Sequence, residues 1–179
     1  SYSGGDIDFK AQLTSLRSKG AEVVMVPGYY TEVGLIVKQA RELGMKIPFL
    51  GGDGWDSPKL FEIAGKSLEN TYIANHYSVE DQDPKVQDFV KRYKARFNNE
   101  VPDGLAAMGY DAALVMVDAL KRAKTLKGED IRDAIAATQN FPGVTGTISI
   151  DSERNAKKPA VMLKVDANGF KFVRRVDPT

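Results

Sequence analysis

At 179 residues the chain is long enough for one medium domain or two small ones, and its 42% hydrophobic and 27% charged content is ordinary for a globular protein. A formal net charge of +1 favours neither nucleic acid nor an anionic membrane as a partner, and the lack of cysteine excludes disulfides, thiol catalysis and zinc–thiolate sites. No apolar run approaches the roughly 18 residues that span a bilayer, no signal-peptide pattern is visible, and the opening Ser-Tyr-Ser reads as processing, truncation or an engineered boundary.

In chain order, Ser3-Gly4-Gly5 is a turn and Asp6 a candidate cap for a helix carrying Phe9, Leu13 and Leu16 at helical spacing, closed by Gly20. Val23 to Val26 reads as a buried strand. Thr31 is the expected cap of the next helix, whose stripe of Val33, Ile36, Val37, Ala40 and Leu43 stops at Gly44. Ile47 to Leu50 is a second strand, and Ser57-Pro58 marks a short helix with a capping hydroxyl and proline at its first position. Thr71 to Ala74 is a third strand. Strands alternating with helices argue for a parallel sheet covered by helices.

After Asn75 the character changes. His76 to Asp83 is polar, and Asp83-Pro84 opens a helix with Val86, Phe89, Val90, Tyr93 and Phe97 on one face. Asp103 caps another helix, apolar nearly all round from Ala106 to Leu120 and therefore expected to be buried on most sides. A weaker helix follows Gly128 with Ile131 and Ile135. These helices need a sheet to lie on, and the residues between Asp83 and Thr147 supply little of one. Thr147 to Ile150 alternates as a strand, and the runs Ala160 to Val165 and Phe170 to Val176 flank Asp166-Ala167-Asn168-Gly169, a hairpin signal. No internal repeat or low-complexity segment is visible.

Two strand-to-helix loops carry the functional reading: Pro27-Gly28-Tyr29-Tyr30-Thr31 and Gly51-Gly52-Asp53-Gly54-Trp55-Asp56. In a parallel sheet such loops open on the same edge, where open α/β sheets bind ligands, so the two should lie side by side. Asp53 is either a carboxylate that meets a ligand cation such as an ammonium or a turn residue capping the next helix, although Asp56 and Ser57 are better placed to cap. One of Tyr29 and Tyr30 can stack on or hydrogen-bond a ligand while the other packs inward, or both can be packing residues. Trp55 is either a pocket wall beside Asp53 or core. His76 is the only histidine, with no serine or cysteine to activate, and is read as structural. No catalytic constellation, metal-ligand cluster or cofactor motif is evident. The glycine-rich loop matches neither the dinucleotide nor the P-loop pattern. Lys38, Arg41, Lys91, Arg92, Lys94 and Arg96 are spread over helix faces and read as solvated surface, which argues against nucleic-acid binding.

The segments Pro27-Gly28-Tyr29-Tyr30-Thr31-Glu32, Lys38 to Gly44, Gly51 to Ser57, Pro102 to Ala113 and Phe141 to Gly146 together closely resemble the branched-chain amino-acid binding proteins of ABC importers, which are type I periplasmic binding proteins (the Leu/Ile/Val-binding family). The order of the matches and the chain length make it similar to the second, C-terminal half of such a protein. The resemblance implies three-layer α/β/α parallel-sheet lobes with a C-terminal β-hairpin. It implies that residues 1–76 and 158–179 form part of one ligand-binding lobe and residues 77–157 part of the other, with hinge crossovers near 75–78 and 151–159. It implies a non-enzymatic, cofactor-free function: capture of a hydrophobic or branched-chain amino acid between two lobes and delivery to the membrane subunits of an ABC transporter, in the periplasm or at the cell surface as a mature form without its signal peptide. A ligand-sensing domain of the same fold in a receptor or transcriptional regulator is the alternative. Asp53 stands where the family has an acidic residue for the ligand ammonium and Tyr29 at its ligand-contacting tyrosine. Leu105 falls at a position that often lines the side-chain pocket, and Trp55 and Tyr30 adjoin these positions. The groups that hold the ligand carboxylate lie in the first half, so a complementing N-terminal half or self-association is implied.

Overall fold

The computed structural model describes residues 1–178. In chain order these form α1 (Lys10–Ser18), β1 (Val24–Met25), α2 (Tyr30–Glu42), β2 (Phe49–Gly51), α3 (Pro58–Ala64), β3 (Thr71–Asn75), α4 (Pro84–Arg96), α5 (Gly104–Arg122), α6 (Gly128–Ala136), β4 (Phe141–Gly143), β5 (Gly146–Ile150), β6 (Ala156–Lys157), β7 (Ala160–Asp166) and β8 (Gly169–Val176). The chain divides into two compact units, one of residues 1–78 and 161–174, the other of 79–160 and the residues from Arg175 onward. The sequence reading expects 1–76 with 158–179 in one lobe and 77–157 in the other; residues 77–78 fall in the first unit, and 158–160 and 175–178 in the second.

The first unit is built on a five-stranded sheet of order β1-β2-β3-β7-β8. β1 pairs parallel with β2 (Val24 opposite Phe49) and β2 parallel with β3 (Gly51 opposite Ile73), as the alternation of strands and helices requires. The hairpin does not stand apart from this sheet: β7 runs antiparallel to β3, with Thr71 opposite Val165 and Asn75 opposite Val161. α2 lays the expected face inward, burying Val33, Ile36, Val37 and Ala40 on a core that includes Phe49, Leu60, Ile73 and Leu163. Full burial of an aliphatic or aromatic side chain is worth about 1.5–3 kcal/mol over leaving it exposed, so this face holds the helix more firmly than propensity does. Gly20 and Gly44 stop α1 and α2 with φ of 71° and 78°, the left-handed conformation a helix-ending glycine supplies.

Two expected caps are corrected. Asp6 accepts from the Ser3 amide in a tight turn, and α1 begins only after Phe9, which has no side-chain cap bond. α2 begins at Tyr30 with Tyr29 in the cap position, so Thr31 lies inside its first turn. Ser57 does cap α3, its Oγ accepting from the Lys59 amide. Arg41 is also not simply surface. Its guanidinium donates to the carbonyls of Met45 (2.7 Å), Ile47 (2.9 Å), Glu69 (2.8 Å) and Ser67 (3.2 Å) and stacks on the Phe49 ring. One fork thereby satisfies the carbonyls of two loops below the sheet, a task that the point charge of lysine does not match. Burial lowers its pKa, with Glu69 opposing that effect.

In the second unit α4 and α5 start at the expected aspartates. Asp83 accepts from the Lys85 amide and Asp103 from the Ala106 amide. α4 buries Val86, Phe89 and Val90, and Phe89 packs on Tyr110 of α5 with ring centroids 5.0 Å apart. Arg122 ties α5 to the end of α6 through the Ala134 carbonyl (2.8 Å) and Thr138 Oγ1 (3.0 Å). A small antiparallel sheet of order β4-β5-β6 completes this unit. The sheet deficit expected from the sequence is real. Of α5 only Gly104, Ala107, Asp111 and Ala119 are buried, while Leu114, Met116, Val117 and Leu120 are exposed. The expectation that α5 is buried on most sides therefore does not hold for these residues. An open apolar cavity of about 330 Å³ lies beside α5, lined by Met108, Val115, Ile135 and Ile148 with Asp111 and Lys158 among its lining residues.

Candidate functional site

The parallel strands β1, β2 and β3 end on one edge of the first unit, and the two glycine-rich loops meet there as expected. The Gly54 Cα faces the Gly28 carbonyl so closely that a Cβ would sit 2.6 Å from its oxygen and 3.2 Å from Cδ1 of Tyr29. Tyr2 spans the first loop from outside, its hydroxyl donating to the Pro27 carbonyl at 2.9 Å. Desolvation raises the Tyr2 pKa, and the negative charge of Glu32 adds to the rise. Glu32 accepts from the Gly5 amide at 2.9 Å, and backbone hydrogen bonding lowers its pKa.

The two tyrosines part company. Tyr29 is 73% exposed beside Gly54, whereas Tyr30 is half-buried against the core of the unit. Tyr30 is thus a packing residue in this structure and Tyr29 the accessible one. Trp55 is corrected outright. It is 0% exposed, its indole nitrogen donates to the Val26 carbonyl at 3.2 Å, and Gly51 lies against its ring. A tryptophan sealed in this way is core and forms no pocket wall. A Cβ on Gly51 would meet the indole at 2.1 Å. Gly51→Ala is expected to cost about 1–3 kcal/mol through overpacking, read as a lower midpoint in urea denaturation; an unchanged midpoint would show that the indole moves freely.

Asp53 is released from structural duty by its neighbours. Ser57 caps α3, and Asp56 accepts from Asn75 Nδ2 at 2.9 Å. The Asp53 carboxylate has one side-chain hydrogen bond among the described residues, Oδ2 to His76 Nε2 at 3.1 Å, with the two side chains 48% and 36% exposed. Asn75, 3% exposed at the end of β3, also accepts the His76 amide at 2.7 Å. A histidine that reads as merely structural thus stands beside the sharpest candidate residue. The available signal was positional: His76 directly follows the third parallel strand, as Asp53 nearly follows the second. Leu105 belongs to the other unit, in the first turn of α5, and is 63% exposed.

Chemically this edge offers the accessible carboxylate of Asp53, an imidazole, an exposed phenol and backbone polar groups. Among the described residues no group of three His, Cys, Asp or Glu side chains could hold a metal ion. The fold is an α/β module whose candidate recognition groups are carried on loops at the open ends of parallel strands. The model of the periplasmic binding protein family matches residues 1–170, and the chain belongs to that family.

Among curated relatives, the leucine-, isoleucine-, valine-, threonine- and alanine-binding protein of Pseudomonas aeruginosa is 29% identical over 154 residues, which is 86% of this chain and 40% of that protein. Among solved structures, a leucine binding protein LivK from Thermotoga maritima is 37% identical with a TM-score of 0.91, covering 99% of this chain and 51% of that one. The branched-chain amino acid transporter substrate binding protein LivJ from Streptococcus pneumoniae, solved in complex with isoleucine, is 35% identical with a TM-score of 0.86 over the same shares. The chain therefore spans about half the length of the relatives it matches. The type I binding-protein fold implied by the sequence resemblance is the fold observed, and these relatives are binding proteins rather than enzymes.

Proposed function

We propose that this chain is the C-terminal half of an extracytoplasmic solute-binding protein that captures a hydrophobic or branched-chain amino acid and passes it to the membrane subunits of an ABC importer. The observation that carries the reading is Asp53: an accessible carboxylate at the open strand ends, freed from capping by Ser57 and, among the described residues, hydrogen-bonded through Oδ2 alone. An amino acid is a zwitterion, and taking it out of water requires a partner for each charge. Asp53 answers the ammonium with charge-assisted hydrogen bonds, and Tyr29, beside Gly54, offers an amphipathic surface. Leu105 is proposed as an apolar ligand contact, the role the family resemblance implies for its position. The names of the relatives support the ligand class, and 35–37% identity to the leucine- and isoleucine-related structures supports its extension to this chain.

In this reading residues 1–78 and 161–174 belong to one lobe and 79–160 to the other, with the chain crossing between them at the breaks of the two units. The first half supplies partners for the ligand carboxylate and cover for Leu114, Val117 and Leu120 of α5. A second copy is the other candidate for that cover. The periplasm or cell surface is the proposed location. Among the described residues no helix is long and apolar enough to cross a membrane.

Native mass spectrometry of the chain as purified, followed by calorimetric titration of the full-length protein with leucine, isoleucine and valine, tests the proposal. Saturable binding of at least one of them at micromolar or lower concentration is expected. Failure of a folded full-length protein to bind any would overturn the reading, and the mass of the purified species reports whether a second polypeptide or a second copy covers α5.

A further inference from the structure

We propose that His76 is a positioning residue of the ligand site: it holds one oxygen of Asp53 so that the other faces the ligand ammonium, and its protonation weakens binding. This rests on the functional reading above.

The geometry supplies the argument. An ionised carboxylate only accepts hydrogen bonds, so Nε2 carries the proton in the 3.1 Å contact with Asp53 Oδ2. Among the described residues Oδ1 is left without a hydrogen bond. The His76 main chain is tied down as well. Its amide donates to Asn75 Oδ1, and Asn75 Nδ2 donates to Asp56 Oδ2, three residues beyond Asp53 on the same turn. The turn and the end of β3 are therefore joined by two separate links, Asp53 to His76 and Asp56 to Asn75. Asn75 is buried, whereas Asp53 and His76 are about half and one-third exposed. A pair so open to water contributes little to folding, so stability is a poor explanation for it. Water and ligand both reach it, and that suits a pre-positioned recognition group.

The same contact makes the site sensitive to protons. Histidine is the side chain that ordinarily changes charge between pH 5 and 8. Among the described residues Asp53 is the one charged group hydrogen-bonded to the imidazole. An imidazolium beside Asp53 strengthens its hold on the carboxylate and repels an incoming ammonium. Protonation of this imidazole is therefore expected to weaken binding.

The test is calorimetric titration of the full-length protein with leucine between pH 5 and 8, for the wild type, His76→Ala and His76→Gln, with thermal melts of each. Glutamine keeps a donor near the position of Nε2 and cannot titrate. At pH 8 His76→Ala is expected to bind roughly tenfold more weakly, the scale of a lost hydrogen bond to a charged group, and His76→Gln to stay within about threefold of wild type. The wild-type affinity should drop several-fold towards pH 5 and the His76→Gln affinity should not. Unchanged affinity in His76→Ala, or a His76→Gln profile that follows the wild type, overturns the proposal. No leucine, isoleucine or valine binding by the folded wild type at any pH overturns the functional reading instead, and this inference with it.

Discussion

Asp53→Asn in the full-length protein is expected to weaken binding of the amino acid by about 2–5 kcal/mol, thirtyfold or more, with little change in melting temperature. The size follows from what is removed. Two unit charges about 4 Å apart attract by about 4 kcal/mol at the effective dielectric near a protein surface, and the ammonium is left partly desolvated without a counter-charge. The small effect on folding follows from the local bonding. Asp53 caps no helix, and its one side-chain partner, His76, can also donate to the asparagine carbonyl oxygen. The two effects separate a ligand-binding carboxylate from a turn residue, because a turn role predicts the opposite: lower stability and nearly unchanged affinity. Calorimetry at pH 7 with leucine, isoleucine and valine, alongside a melt, reads both. A less than threefold loss of affinity in a folded variant would remove Asp53 from the site.

Much of the first unit is legible in sequence because its signals are local. The alternation of apolar runs and amphipathic helices specifies parallel strands, and parallel strands bring loops 27–31 and 51–56 to one edge. Ser57-Pro58, Asp83-Pro84 and Asp103 place helix starts correctly, since the capping oxygen and the amide it accepts are two or three residues apart. What the sequence hides depends on distant partners. Trp55 looks like a pocket residue beside Asp53 until the strand end shows Gly51 leaving room for its ring and Val26, 29 residues away, accepting its N–H. Arg41 resembles its exposed neighbours on α2, yet carbonyls 26 and 28 residues on bind its guanidinium. The antiparallel docking of β7 on β3 joins positions some 90 residues apart, and no local pattern in either strand specifies that neighbour. The contact of His76 with Asp53 is hidden for a related reason: a lone histidine carries no spacing signal, and its partner lies on the neighbouring strand end.

Asp111 is the most consequential residue hidden in this way, and replacing it is expected to cost about 3–5 kcal/mol of stability, the scale for stripping a buried charged hydrogen-bond hub. It interrupts the apolar stretch of α5 and is 2% exposed. Oδ1 accepts the Val144 amide, and Oδ2 accepts both the Thr145 amide and its hydroxyl, all at 2.8 Å. One carboxylate therefore holds the β4–β5 turn against the helix, and Gly143 makes room for the approach, since a Cβ there would lie 2.6 Å from Oδ2. Asp111→Ala leaves two buried amides and a hydroxyl without an acceptor. Asp111→Asn should rescue little, because whichever way the amide turns, its NH₂ group meets one of the backbone N–H donors. Lys158 provides a second signature. Burial lowers its pKa while the charge of Asp111 opposes that fall. Without Asp111 the half-buried ammonium loses this support and its pKa falls further. The unfolded chain then binds more protons than the folded one over a wider range, so the stability of Asp111→Ala should rise with pH below the ordinary lysine range, over a wider span than that of the wild type. Urea denaturation at pH 7 and pH 9 measures both the loss and its slope. A loss below about 1 kcal/mol, or full rescue by asparagine, would mean that the turn finds other acceptors and that Asp111 is not what holds it.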